Sequence, residues 1–254
     1  MRTIYTITRF IPLLCLCSCV QYHYSPNFVQ TPYLDSKGDG QVTAAVSGGP
    51  VTVNGDFHAS YSPVKYGTVM LNSFHYLTRY TDQTFFGAPS RQHSTKGYFL
   101  EGAIGGYIPF EYTTAAIYTG WGFGHLENDY DLGRVANFSL QRFFVQPTMT
   151  FKIDWFRLGM GLRLVSLHLP SGYVDQRIDQ LDIQKIQNIE HDSPIWFPEV
   201  GGNIGFQLKP ITFTGNCVLV APNIAGKYGF RSSSLGLAIS LELEDLFKKK
   251  EKKQ

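Results

Sequence analysis

The chain has 254 residues, including 25 Gly, 19 Phe, 15 Tyr and 3 Trp, with 17% charged residues and a formal net charge of +2. Beyond the N-terminus it has no apolar run of about eighteen residues, which excludes a helical transmembrane protein. A composition rich in Gly and aromatic residues also disfavours a helical bundle. The hydrophobic fraction of 43% excludes a disordered chain.

The first 18 residues have the order of a secretory signal. Arg2 and Arg9 precede an apolar stretch at residues 10–17, and small residues follow it. The sequence Leu-Cys-Ser-Cys at 16–19 resembles the lipobox of bacterial lipoproteins. This resemblance implies cleavage before Cys19 and acylation of that residue, so we expect a lipid anchor there.

Removal of the signal changes both the cysteine count and the charge. Cys15 and Cys17 leave with it and Cys19 takes lipid, so Cys217 is the one remaining thiol and no internal disulfide is expected. Without Arg2 and Arg9, 20 basic residues face 20 acidic residues. Such a near-neutral chain does not favour a nucleic-acid partner.

The segment after the cleavage site predicts an extended, lipid-anchored tether over residues 19–39, because Pro26, Pro32 and several polar residues interrupt any regular pattern. Residue 20 is Val rather than Asp. By resemblance to other lipoproteins, this implies outer-membrane sorting with the lipid in the periplasmic leaflet.

From residue 40 the chain divides into segments that alternate with a period of two and end at Gly, Pro, Asn or Asp. The pattern predicts ten strands in a domain at 40–247, followed by a Lys-rich periplasmic tail at 248–254. The predicted strands are 40–47, 53–62, 66–76, 98–109, 114–124, 137–152, 156–169, 195–208, 211–221 and 231–243.

The two faces of these strands differ in composition. In 156–165 Phe, Leu and Met alternate with Arg and Gly, and in 235–243 Leu and Ile alternate with Gly, Ala, Ser and Glu. A soluble sandwich would bury the apolar face, whereas a membrane barrel would turn it to lipid. A second face rich in Gly favours the crowded interior of a narrow barrel, because solvated strand faces avoid Gly.

The connections alternate between short and long, as in outer-membrane barrels with periplasmic turns and external loops. The inward residues also change between odd and even numbers across three short connections, as an even-numbered turn requires. The prediction is an all-β fold, an antiparallel up-and-down transmembrane β-barrel of about 10 strands, with 8 possible. The long connections are 77–97, 125–136, 170–194 and 222–230.

Several motifs together resemble a family of small, uncharacterised outer-membrane β-barrel lipoproteins of Gram-negative bacteria. They are the lipobox, the run Tyr24-Ser25-Pro26-Asn27 with Pro32-Tyr33-Leu34, the run Gly120-Trp121-Gly122-Phe123-Gly124, and Arg142-Phe143-Phe144-Val145-Gln146-Pro147. The resemblance implies location and fold and no activity.

Four charged residues fall on the inward face of the predicted strands: Glu101, Arg142, Arg163 and Glu199. Two acids against two bases predict a paired network that closes the lumen, because buried ions must be compensated. A proton or ion path is the alternative interpretation, although a barrel of this size leaves little free space.

The other candidate sites lie at the predicted outer end. Several histidines map there without any metal-ligand spacing, so no metal and no cofactor are predicted. His168 and Ser171 invite comparison with outer-membrane lipid A deacylases and acyltransferases, although Pro170 separates them and no matching motif is present. Residues 176–189 partly fit an amphipathic helix that caps the barrel.

The sequence therefore predicts a non-enzymatic outer-membrane barrel with a closed lumen, serving envelope structure or surface interaction. Outer-membrane lipids are the expected partners, and a surface ligand or protein could bind loops 77–97 and 170–194. Two alternatives stay open at this point. One is a lipid-modifying enzyme of the outer leaflet, and the other is a lipocalin-like periplasmic barrel with an apolar ligand inside.

Overall fold

A computed structural model describes residues 23–49, 52–82, 91–130 and 132–244. The predicted signal, Cys19 and the Lys-rich tail lie outside the described residues. The strands are β1 (Gly40–Gly49), β2 (Thr52–Val64), β3 (Gly67–Asp82), β4 (Arg91–Pro109), β5 (Thr113–Tyr130), β6 (Arg134–Ile153), β7 (Phe156–Val174), β8 (Ile195–Leu208), β9 (Ile211–Val220) and β10 (Ser233–Glu242). Two helices, α1 (Gln180–Asp192) and α2 (Pro222–Tyr228), follow β7 and β9.

The ten strands form one closed antiparallel barrel in which each strand pairs with its neighbours in sequence. The first and last strands close it, since Ala44 of β1 lies opposite both Phe57 of β2 and Ile239 of β10. The predicted up-and-down barrel is confirmed, with ten strands and not eight.

The register shows how alternation in the sequence becomes two faces. In β7 the side chains of Arg157 and Arg163 are buried in the lumen, whereas Met160 and Leu162 are 47% and 46% exposed on the outside. Large apolar side chains are exposed on every strand, which is far more apolar surface than a soluble monomer shows. They include Val46, Val53, Leu71, Leu100, Ile104, Ile117, Met149, Leu162, Leu164, Val200, Ile204, Leu219, Leu237 and Ile239.

Exposed aromatic side chains form two bands around this apolar surface. One band lies at the short connections, and the other lies nearer the opposite end of the barrel. On β5 and the turn before it, Tyr112 and Trp121 mark the two bands. Nine residues of a strand tilted by about 40° rise roughly 23 Å, close to the apolar height of a membrane barrel. The first band contains Tyr66, Phe110, Tyr112 and Trp155, and the second Tyr98, Trp121, Phe143 and Trp196.

The strands continue further than the sequence predicts, which corrects two of the expected long loops. β3 runs to Asp82 and β4 starts at Arg91, so strand occupies most of 77–97, and residues 83–90 lie outside the described chain. β5 and β6 leave only 131–133 between them. Backbone ladder bonds form wherever two strands run side by side, so pairing extends past the apolar pattern from which the boundaries were inferred.

The helices gather at one end of the barrel. α1 confirms the amphipathic helix predicted at 176–189, with Ile183, Ile186 and Ile189 buried. Neither helix of the described chain is long and apolar enough to cross a membrane. We call the end that carries α1, α2 and Gly229 the helical mouth, and the end with the turns β2–β3, β4–β5, β6–β7 and β8–β9 the turn end.

Candidate functional site: the barrel lumen

The lumen contains part of the chain's own N-terminus. We call residues 23–34 the inner segment, because nearly all of its side chains are buried within the barrel; Tyr24, Phe28 and Leu34 are at most 1% exposed. This corrects the predicted tether at 19–39. The described part of it is not a free linker beside the barrel but a filling inside it.

The inner segment runs along β7 in the opposite direction. Arg163 Nη2 donates to the carbonyl oxygen of Asn27 at 2.8 Å, and two residues further along the segment Val29 lies against Gly161. After two more residues Thr31 lies against Gly159, and then the Tyr33 ring lies 5.9 Å from the Arg157 guanidinium carbon. For every two residues along the inner segment, the contact moves back two residues along β7. The inner segment is therefore extended like a strand and antiparallel to β7.

Inward glycines give the inner segment its room. A Cβ atom on Gly161 would lie 2.8 Å from Val29 Cγ1, and one on Gly201 would lie 2.8 Å from Val29 Cβ. On the other side of the barrel, a Cβ atom on Gly236 would meet the Phe28 ring at 2.8 Å. The Gly-rich face that the sequence places in the lumen is therefore a groove fitted to the inner segment.

The structure brings Glu101, Arg142, Arg163 and Glu199 together midway along the lumen, where each is at most 1% exposed. Arg142 Nε donates to Glu101 Oε1 at 2.5 Å, and Arg163 Nε donates to Glu199 Oε2 at 2.6 Å. The two acids and two bases thus form two ion pairs, with two residues of the inner segment placed against them.

Asn27 joins the two pairs. Its Oδ1 accepts from Arg142 Nη2 at 2.7 Å and from Arg163 Nη2 at 2.9 Å, while its Nδ2 is 3.5 Å from Glu101 Oε2. Tyr24 adds a second link, since its hydroxyl donates to Glu199 Oε1 at 2.6 Å and accepts from Arg142 Nη1. Both side chains belong to the inner segment, so the charge network holds that segment in place.

At the turn end the inner segment is fixed again. Lys152 Nζ donates to the Tyr33 carbonyl oxygen at 2.9 Å and to Asp35 Oδ2 at 2.6 Å, and Thr114 Oγ1 donates to Asp35 Oδ1 at 2.9 Å. Both Lys152 and Thr114 lie near the β4–β5 and β6–β7 turns. Beside them Arg157 donates to Gln207.

At the helical mouth the first residues of the segment pair with backbone. The N–H of His23 donates to the Gly229 carbonyl oxygen at 2.9 Å, and the N–H of Arg231 donates to the Tyr24 carbonyl oxygen at 2.9 Å. His23 Nδ1 also lies 3.1 Å from Asn128 Nδ2, near the end of β5. The inner segment therefore reaches the helical mouth at a fixed position, beside Gly229 and Asn128.

α1 covers the start of the inner segment at the helical mouth. The apolar side of the helix packs into the same core cluster as Tyr24, Phe197 and Phe230. The Asp179 carboxylate begins the helix by accepting from the N–H of Leu181 at 2.8 Å, which satisfies one of the free donors of the first turn.

Asp192 links α1 to α2. Its carboxylate accepts from Lys227 Nζ at 2.6 Å and from the Tyr228 hydroxyl at 2.7 Å. Hydrogen bonding from Lys227, with His191 and Tyr228, holds the pKa of Asp192 well below its usual range. Similarly, hydrogen bonds from the Arg177 side chain and backbone lower the pKa of Asp175 to about 2. These carboxylates stay charged near neutral pH and keep the cap together.

The candidate enzymatic pair differs from the sequence interpretation. His168 Nδ1 lies 2.7 Å from the hydroxyl oxygen of Ser193, not beside Ser171. That hydroxyl also accepts from the N–H of Leu169 at 3.3 Å. In the described residues no hydrogen bond or ion pair joins His168 to a carboxylate that would orient it as a base.

The structure gives the histidines of the outer end no common site. Within the described ranges, no group of three or more His, Cys, Asp or Glu side chains is placed to hold a metal ion. A groove of about 340 Å³ does occur on β4–β6, lined by Ile104, Ile117, Thr119 and Val145, whose side chains belong to the outer face.

Sequence reasoning missed Tyr24 and Asn27 as partners of the charge network. The inner segment lacks any period, so nothing local marks it as buried. A signal was nonetheless available. Tyr24, Phe28 and Val29 are of core type, and a face lined by several glycines leaves space that strand side chains cannot fill.

No family model and no curated protein matches the sequence. Among solved structures, CdiB from Escherichia coli is similar with a TM-score of 0.40 and 12% identity, covering 80% of this chain and 46% of that one. CdiB from Acinetobacter baumannii is similar with a TM-score of 0.27 and 8% identity, covering 82% of this chain and 60% of that one. The chain thus matches about half the length of these proteins, and similarity this low carries no argument about its function.

Proposed function

We propose that this chain is an outer-membrane β-barrel protein whose lumen is closed by its own N-terminal segment. In this proposal it carries a lipid on Cys19 and serves envelope structure or surface interaction, as in the lipoprotein family that its motifs resemble. The observation that carries the membrane placement is the apolar outer surface of the barrel between two aromatic bands. Lipid is the solvent in which such a surface is stable.

The orientation follows from the ends of the barrel. Short turns join the strands at one end, whereas the other end carries α1, α2 and the longest strand extensions. In outer-membrane barrels the short turns face the periplasm and the longer connections face outward. The helical mouth therefore faces the cell exterior, where the connections at 77–97 and 170–194 are the surfaces offered to a ligand or protein.

A non-enzymatic role is part of the proposal. The His168–Ser193 pair has no orienting carboxylate among the described residues, which leaves the lipid-modifying alternative without its third group. The lipocalin-like alternative needs an apolar interior, but the interior holds the inner segment and the two ion pairs that Glu101, Arg142, Arg163 and Glu199 form. Both observations favour a structural or interaction role.

Leu162→Arg tests the membrane placement. Leu162 lies on the outer face midway between the two aromatic bands, opposite Val200. We expect the arginine to lower the free energy of unfolding from lipid vesicles by about 2–4 kcal/mol, because a charge at the midplane of the bilayer is costly. Urea unfolding of the protein refolded into vesicles measures the change.

Gln141→Arg is the matched control, since Gln141 is exposed on the outer face beyond Phe143 and near the outer band. There we expect a loss of only about 0–1 kcal/mol. A soluble barrel would accept both arginines equally well, because both positions would meet water. Equal stability of the two variants would thus contradict the proposal.

A further inference from the structure

A row of inward residues crosses the barrel wall from β2 to β6. His58, Asn72, Glu101, Gly122 and Arg142 lie opposite one another in successive strands. His58 Nδ1 lies 3.0 Å from Asn72 Oδ1, and the Asn72 side chain also hydrogen-bonds the Glu101 carboxylate. These hydrogen bonds join β2 to the charge network, so we call this set of residues the polar row.

The hydrogen bonds of Asn72 determine which nitrogen of His58 carries a hydrogen. A carboxylate only accepts, so the amide nitrogen of Asn72 faces Glu101 and the amide oxygen faces His58. Because that oxygen is also an acceptor, His58 Nδ1 is the donor. A neutral imidazole has a single N–H, and this leaves Nε2 of a neutral His58 as an acceptor.

The Nε2 edge of His58 faces another acceptor, the carboxylate of Asp56. Both side chains are buried, and Nε2 lies 3.4 Å from Asp56 Oδ1. Within the described residues, neither Asp56 oxygen accepts a hydrogen bond and Nε2 makes none. Without a further proton, an ionised carboxylate would face a lone pair in a low-dielectric interior, which is a costly state for a buried charge.

The wall beside Asp56 is apolar. Ala45 of β1 and Phe74 of β3 lie opposite Asp56 on its two sides. Ala45 also packs in one cluster with Phe28 of the inner segment. These neighbours offer the carboxylate no hydrogen-bond donor from their side chains.

Two other charged groups approach this part of the lumen. From the helical mouth, Arg231 Nη1 lies 3.0 Å from the side-chain amide of Asn54, but Arg231 donates no hydrogen bond to Asp56. Along the polar row, Glu101 is negative and is paired with Arg142. Neither group supplies a donor to the Asp56 carboxylate, which leaves His58 as the contact that can carry one.

We propose that Asp56 and His58 together bind one proton inside the lumen. The proton belongs to the pair, because an N–H on Nε2 and an O–H on Asp56 both place a hydrogen between the two acceptors. It stabilises the β2 end of the polar row, which continues through Asn72 to the charge network. This inference concerns the interior of the barrel alone, so it does not depend on the membrane placement of the proposed function.

The pH dependence of stability tests the proton site. In the unfolded chain, a histidine and an aspartate in water hold little proton above about pH 7.5, so folding takes up one proton and stability falls as the pH rises. Asp56→Asn removes this uptake, because its amide can donate to Nε2 of a neutral His58. Between about pH 7.5 and 9, the unfolding equilibrium constant of the wild type should rise about tenfold per pH unit relative to that of Asp56→Asn. Urea unfolding in detergent micelles measures both.

His75→Gln is the matched control, since His75 is exposed on β3 and should leave the pH dependence of the wild type unchanged. Equal pH dependence in the wild type and in Asp56→Asn would overturn the proton site.

A spectroscopic measurement on the wild type covers the case in which Asp56→Asn does not fold. In protein with 15N-labelled histidine at pH 8, we expect His58 to be either an imidazolium or an Nδ1–H imidazole beside a protonated Asp56. Nitrogen chemical shifts identify the state of the ring, and the infrared carbonyl band of a carboxylic acid, absent in Asp56→Asn, identifies a protonated Asp56. A neutral ring with its hydrogen on Nε2, or a neutral ring beside an ionised carboxylate, would contradict the inference.

Discussion

Asn27 is the residue through which a chain segment without secondary structure becomes part of the barrel. Its amide meets two guanidinium groups and one carboxylate that come from β4, β6 and β7. An asparagine suits this position because its oxygen accepts two bonds while its nitrogen donates. The buried ion pairs alone would leave the remaining guanidinium donors short of acceptors, and such donors are costly in a low dielectric.

Asn27→Ala should therefore lower the free energy of unfolding by about 2–4 kcal/mol, because two buried charged donors lose their shared acceptor. Asn223→Ala on the exposed side of α2 serves as the control and should change stability by less than about 0.5 kcal/mol. The midpoint of urea unfolding in detergent micelles gives both values. If the two midpoints agree, Asn27 does not hold the network as described.

The sequence alone predicts which charged residues face the lumen, but not how they pair. The inward positions of Glu101, Arg142, Arg163 and Glu199 follow from strand alternation, since a period of two assigns every side chain to a face. Their mutual pairing depends on the stagger of strands around the barrel. The involvement of Tyr24 depends on a contact 175 residues away in sequence, with Glu199.

Among the elements, β7 contributes to the barrel through both of its faces. Its outer face exposes Met160 and Leu162, and its inner face places Gly159 and Gly161 against the inner segment. Glycine usually weakens a strand. Here it lets the Val29 and Thr31 side chains of the inner segment approach the strand closely, so the weakening is offset by the packing of the segment.

Gly161→Ala should cost about 1–3 kcal/mol of stability, because the new methyl group meets Val29 at 2.8 Å in a filled lumen. Adding Val29→Ala should recover part of that loss, giving a coupling of about 1 kcal/mol or more between the two sites. A double-mutant cycle measured by urea unfolding provides the number.

Gly102→Ala is the matched control for this cycle. Gly102 lies on the outer face of β4 with nothing within 4 Å of an added Cβ atom, so alanine should be tolerated there. Independent effects of Gly161→Ala and Val29→Ala would show that the inner segment does not run along β7.

For the whole molecule, side chains and chain segments occupy the lumen at three levels. α1 covers the mouth, the charge network crosses the middle, and Arg157 with Lys152 and Tyr33 fills the turn end. A barrel of about eight strands can be filled by its own wall side chains, and a ten-stranded barrel has more interior to fill. The inner segment supplies the additional volume.

The wild-type protein should therefore conduct no steady ionic current in planar lipid bilayers. The measurement is current at constant voltage, with an open porin as the positive control and with insertion verified by protection from added protease. A stable current from the inserted wild type would contradict a closed lumen and would favour the ion-path interpretation of the inward charges.

The sequence by itself determines the wall of this protein. Apolar residues at every second position, glycines between them and short even-numbered turns predict about ten strands and the two faces of each, because these are local rules of strand geometry. The closed structure decides between ten strands and eight. The amphipathic pattern at 176–189 likewise specifies α1.

Only the tertiary structure shows which residues fill the lumen inside this wall and at which end of the barrel they begin. Residues 23–34 have no period and make no regular structure of their own. Their burial depends on partners in β4, β6, β7 and β8 that become neighbours only when the barrel closes. The lumen exists only once β1 has paired with β10. Local sequence preferences therefore cannot predict which residues fill it, and for this reason the sequence predicts a tether where the structure has the inner segment.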